Sequence, residues 1–206
     1  MLRQKYMDKR MDKVYSFQSV ILASVFDVKN ITLTIPSYHA PWNIAADFKV
    51  DMSFNPAEIA SMLNGYESDH HTGMNIQAIA YEIYNYTSGY PFLVSKICWH
   101  IDETLDKNWT IDGVKNAVER ILQEKNPFFD ELIEVIENDG KLYKLLYDVL
   151  IEDQWRFFFH GNSTVDIAYT YGIIKRKNDK ILISNKIFEI FLRDYFISKN
   201  ETKQKI

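Results

Sequence analysis

The stretch that most constrains the fold lies near the middle of the chain, Tyr86-Thr-Ser-Gly-Tyr-Pro-Phe-Leu-Val-Ser-Lys-Ile-Cys98. Gly89 accepts a positive φ and so can close a helix. Pro91 has its φ preset and needs no N–H, which suits the first turn of the next helix. Leu93, Val94, Ile97 and Ile101 then recur at helical spacing, so one face of that helix is expected to be buried. A helix-to-helix corner is therefore required here, and taken alone it implies packing rather than a ligand.

Composition narrows the class. The chain has 206 residues, 47% hydrophobic and 25% charged, enough for a substantial core and too apolar for disorder outside the ends. Aromatic residues make up 15% and run along the whole chain, which points to rings in the core. The net charge of -4 gives no general electrostatic reason to bind nucleic acid or an anionic membrane, although a local basic patch remains open. Cys98 is the single cysteine and lies on the apolar face just described, so it reads as core, and its inability to form an internal disulfide fits a reducing cytoplasm. The N-terminus has no apolar leader pattern, and no apolar run is long enough for a bilayer, so no membrane association is expected.

Residues 1–13 have helical propensity. Within Phe17–Val25, the continuous run Val20-Ile-Leu-Ala23 is the pattern of a strand covered on both faces, which needs neighbouring strands. A short alternating strand is read at Asp47–Asp51. Asn55-Pro-Ala-Glu58 is an N-cap, a first-turn proline and a capping-box glutamate, opening a helix with Ile59, Met62 and Leu63 inward. Glu67–Gly73 breaks it, and Ile76, Ile79, Ala80 and Ile83 mark the next helix, up to Gly89. Thr110 and Asn126 introduce two more helices, and Leu142, Leu145, Leu146, Val149 and Leu150 another. A short helix over Thr164–Tyr169 precedes a hairpin, Gly172–Ser184, with Asn178-Asp179 at its turn, and a closing helix carries Ile187, Phe188, Phe191, Leu192 and Tyr195.

In this order the pieces resemble the bacterial AAA-like ATPases close to the STAND group of P-loop NTPases. The segment Phe17–Asn30 resembles the sensor-1 strand. Pro41–Phe48 and Phe54–Ile59 resemble the last sheet strand and the approach to the lid. Tyr86–Val94 resembles the lid's Gly-x-Pro motif, and Tyr171–Lys175 with Ile183–Phe188 resembles a winged-helix hairpin and closing helix. The fold this implies is mainly α with short β segments. A remnant of an α/β P-loop sheet would occupy 1–52, a helical lid 53–138, a winged helix 139–198 and a disordered tail 199–206.

The motif that would bind triphosphate, G-x-x-x-x-G-K-[ST], is missing, and Phe128-Phe-Asp-Glu131, the nearest imitation of a Walker-B end, follows a proline in a helical pattern. No catalytic residue is therefore assigned, and no ATP hydrolysis is expected of this chain alone. Joined to a P-loop half that supplies ATP and Mg, the resemblance implies that Ser24 and Asp27 face the γ-phosphate side. Gly89 and Pro91 would then lie near the adenine. Phe92 stands nearest the place of the family's phosphate-reading arginine, with Lys96 one turn on.

The expected partner is that missing ATPase half or another protein. The alternative is a free-standing module that binds protein or DNA. Lys175, Arg176, Lys177 and Lys180 would contact DNA phosphates at the hairpin tip, but Thr164–Tyr169, the helix that would enter the major groove, has no Arg or Lys and contains Asp166. Asp69, His70 and His71 with Glu67 read as a solvated loop, and no metal site is assigned.

Overall fold

The computed structural model describes residues 52–204, which belong to the unit that begins at Asp51. The strands read at Phe17–Val25 and Asp47–Asp51, and with them Ser24 and Asp27, lie outside the described residues. Those that are described are mainly helical. Eight helices and one two-stranded sheet follow in the order α1 (Pro56–His70), α2 (Ile76–Thr87), α3 (Pro91–Glu103), α4 (Ile111–Gln123), α5 (Pro127–Asn138), α6 (Gly140–Leu150), α7 (Ser163–Thr170), β1 (Ile174–Lys177), β2 (Lys180–Ile183) and α8 (Lys186–Gln204).

Most helix starts are set by side chains that satisfy the first free N–H groups. Asn55 accepts from Ala57 and Glu58 while the Glu58 carboxylate accepts from the Asn55 N–H, a complete capping box with Pro56 at the first position. Thr110 caps α4 through Gly113, Asn126 caps α5 through Phe128, Asp139 caps α6, and Asn162 caps α7. The hairpin turn has Asn178 and Asp179 both left-handed, at φ 51° and 59°, as a two-residue turn between twisted strands requires.

The buried apolar residues form a single cluster from Ile59 to Phe196. The closing helix α8 ties the cluster together by packing against α2, α4, α6 and β2. Its Ile187, Phe188, Leu192 and Phe196 are fully buried, and each such side chain is worth about 1.5–3 kcal/mol of transfer free energy.

Three local expectations are corrected. Met62 points outward, 43% exposed, because Ile59, Ala60 and Leu63, with Tyr66 half-buried beside them, take the inward face of α1. The first helix also runs on to His70, three residues beyond Glu67 where the break was read to begin, and stops at a left-handed His71. And α8 continues to Gln204, past the point where the disordered tail was expected. Lys199 pairs with Glu137, and the Asn200 amide donates to the Tyr147 hydroxyl at 2.9 Å, so the helix is held where it was expected to fray.

Candidate functional site

The corner between α2 and α3 is closed from several sides. Ser88 (φ 48°) and Gly89 (φ 78°) are both left-handed, and Pro91 opens α3. The buried Thr87 hydroxyl donates to the Ile83 carbonyl at 2.8 Å and accepts from the Gly89 N–H at 3.1 Å. The Phe54 N–H donates to the Gly89 carbonyl at 2.9 Å. A Cβ on Gly89 would lie 1.9 Å from the Phe54 carbonyl oxygen, so the position excludes any side chain for reasons of both backbone and space.

The hairpin reaches the same corner. Lys175 Nζ donates to Ser88 Oγ at 3.0 Å and to the Ser184 carbonyl at 2.6 Å, and Lys186 Nζ lies 4.8 Å from the centre of the Tyr86 ring. Burial, with Lys177 adding repulsion, pulls the Lys175 ammonium below the usual lysine range. Beneath the corner, the Tyr90, Phe92, Phe128, Phe129 and Phe188 rings form an aromatic cluster with neighbouring centroids 4.9–6.4 Å apart. Phe128 and Phe129 therefore serve packing in the first turn of α5, where a helix rather than a strand end carries Asp130 and Glu131.

The candidate residues divide between different neighbours. Gly89 and Pro91 share the corner. Lys96, on the other hand, meets Glu124 of the α4 C-terminus at 3.0 Å and lies 4.4 Å from the Trp99 ring centre. Glu124 also faces the buried His100, whose Nε2 is 3.3 Å away and whose Nδ1 is 3.2 Å from Thr104 Oγ1. Burial, against the opposing pull of Glu124, holds His100 below the usual histidine range. Cys98 keeps some surface, and burial pushes its thiol up to about 12, far from a reactive thiolate.

Of the four hairpin cations, Lys175 is directed into the corner and Arg176 pairs with Asp179 across the turn. Lys177 and Lys180 are exposed, with no carboxylate in ion-pair range among the described residues. Glu67 is likewise engaged: the Thr72 hydroxyl, and after it the Gly73 and Thr72 N–H groups, donate to its carboxylate and draw it below the usual range. Among the described residues no three His, Cys, Asp or Glu side chains could share a metal ion, and no helix is long and apolar enough to cross a membrane.

Sequence reading missed a second surface. The segment before α7 runs alongside the hairpin: the Phe158 N–H donates to the Asp179 carbonyl at 2.8 Å and the Ile181 N–H to the Arg156 carbonyl at 2.9 Å, a bridge centred on Phe157 and Lys180. Arg156 and Phe158 point the other way: Arg156, itself still exposed, reaches the buried Asp148 at 2.8 Å, and Phe158 enters the core. Arg156, with Lys144 beside it, draws the Asp148 carboxyl below the usual range. Trp155, Phe157 and Phe159 turn outward and are 61%, 64% and 70% exposed. Trp155-Arg-Phe-Phe-Phe159 does not alternate apolar with polar residues, so the chain itself carries no signal of which rings face outward.

Compared with family models, with curated proteins and with solved structures, the chain matches none of them.

Proposed function

We propose that this chain is the sensor-1, lid and winged-helix portion of an AAA-like, STAND-type ATPase, working in the cytoplasm as a nucleotide-dependent switch when joined to a P-loop half. In this reading α1–α5 are the lid and α6–α8 with the hairpin are the winged helix. The observation that carries it is the bond from Lys175 of the hairpin to Ser88 at the Gly89 corner. A nucleotide bound against Gly89 and Pro91 would bias the corner, and Lys175 offers a direct route from there to the hairpin. ATP and Mg belong to the P-loop half, and this chain alone hydrolyses nothing. Lys96 is a poor phosphate reader in this arrangement, because Glu124 already neutralises it.

The test starts from the coding frame upstream of Met1, read for G-x-x-x-x-G-K-[ST]. In the protein that joins this chain to such a half, hydrogen exchange over residues 76–103 and 172–185 is compared with and without MgATP. Slower exchange in both segments supports the switch, and its loss from the second segment alone in Lys175→Met supports the route. Unchanged exchange in both segments while ATP is bound overturns the reading.

A further inference from the structure

The outer face of the small sheet carries more exposed aromatic surface than packing explains. Phe157 and Lys180 are directly opposed, Lys180 faces Lys177 in the hairpin register, and Leu182 is two residues from Lys180. Trp155, Phe157, Phe159, Lys180, Lys177 and Leu182 therefore share one face. Leu182 is 39% exposed, so the patch is continuous from the rings into β2. The Trp155 and Phe157 rings meet edge to face at 4.9 Å, and Lys180 Nζ lies 5.2 Å from the Trp155 ring centre. Isolated exposed rings are ordinary, but three in one extended segment are a patch that has been kept uncovered.

Charge decides what such a patch suits. Two carboxylates of this region are paired with cations within the molecule, Asp148 with Arg156 and Lys144 and Asp179 with Arg176, while Asp166 and Glu152 accept hydrogen bonds from the Gly161 N–H and the Gln154 amide. Asp153 precedes the first ring. On the rings' own face, Lys177 and Lys180 have no carboxylate in range among the described residues, so the face is cationic as well as aromatic. Alternate residues on a strand are roughly 6.6 Å apart. That backbone spacing is about twice the 3.4 Å step of stacked bases, and the Trp155 and Phe157 rings, in edge-to-face contact, leave no gap for a base between them, so the face suits bases splayed apart on its outer side rather than a stacked duplex.

We propose that this face binds single-stranded nucleic acid, with bases stacking on Phe157, Phe159 and Trp155 while Lys177 and Lys180 meet the phosphates. The proposal is independent of the nucleotide-switch reading. It differs from duplex binding at the hairpin tip, because the rings rather than four cations supply most of the affinity.

The test is fluorescence anisotropy of the full chain with fluorescein-labelled dT15, rU15 and a 15-base-pair duplex at 50 and 200 mM NaCl. Saturable binding to dT15, rU15 or both is expected, tighter than to the duplex and weaker at the higher salt; the two probes separate DNA from RNA. Phe157→Ala and Phe159→Ala are each expected to weaken binding by roughly 5-fold or more. Lys177→Ala with Lys180→Ala should flatten the salt dependence. These positions are exposed, and circular dichroism melting checks that each variant folds. As a second readout on the unaltered chain, dT15 or rU15 should quench tryptophan fluorescence, and Trp155→Phe should remove that quenching. Equal affinity for the duplex, no binding at 100 µM chain, or binding unchanged by both ring substitutions overturns the proposal. So does a concentration-dependent dimer in sedimentation that Phe157→Ala and Phe159→Ala abolish, which would assign the face to a second copy of the chain.

Discussion

Between Thr87 and Pro91 the chain closes on itself. Gly89 donates to Thr87 and accepts from Phe54, and Ser88 takes Lys175 from the hairpin. On the outer sheet face the opposite holds, because Trp155, Phe157 and Phe159 present most of their ring surface to water. The first arrangement is one in which every change should register in stability, since buried polar groups lose their partners and close-packed backbones have no slack. The second returns little stability to the fold, so its reason for persisting is better sought in what it touches. The corner packs on the apolar cluster and the rings stand outside it, so the two regions should answer to different measurements.

The strongest way to break that contrast is Gly89→Ala. A methyl group would meet the Phe54 carbonyl and sit at a positive φ, and a loss of about 3 kcal/mol in urea unfolding is expected. A loss below about 1 kcal/mol would mean the corner is not the tight junction described. Thr87→Val comes next. It keeps the branched shape but removes the acceptor for the Gly89 N–H and leaves that buried group unpaired, at a cost of about 1–2 kcal/mol. Thermal melts read this directly, and an unshifted midpoint would count against the bond.

A smaller effect is expected from pH, and it gives a reference outside both regions. His100 is held below its ordinary value of 6.5, so the unfolded chain takes up the proton first. Its contribution is whole above about pH 6.5 and is lost as the pH falls below that toward the folded value. Urea unfolding at pH 7.5 and pH 5.5 should show the decline, and His100→Gln should flatten it; an unchanged slope in the variant would place the titration elsewhere. The smallest effect belongs to the exposed rings. Phe157→Ser and Phe159→Ser should each leave stability within about 0.5 kcal/mol, and a larger loss would return those rings to the core.

How much could be read in advance follows the range of each interaction. Asn55 with Pro56 and Glu58, Thr110, Asn126 with Pro127, and the Asn178-Asp179 turn were all legible, because each acts on groups no more than about three residues away. The buried faces of α2 and α3 were legible too, since 3.6-residue periodicity survives any detail of packing. Met62 was misread because a face can be filled by its neighbours without it. The outward rings at 155, 157 and 159 were missed because a lone extended segment has no inside until a hairpin lies against it.

The sequence by itself determined where the helices begin, that Gly89 and Pro91 make a corner, and that residues 174–183 form a hairpin. These are properties of adjacent dihedral angles and nearby donors. Only the tertiary structure decided what the charged side chains do. Lys175 and Arg176 read alike along the chain, yet one donates to Ser88, 87 residues away, and the other pairs with Asp179 across the turn. Lys177 and Lys180 are left facing solvent beside the rings. A long flexible side chain carries little local information about its partner, so its role is set by what folding brings within reach.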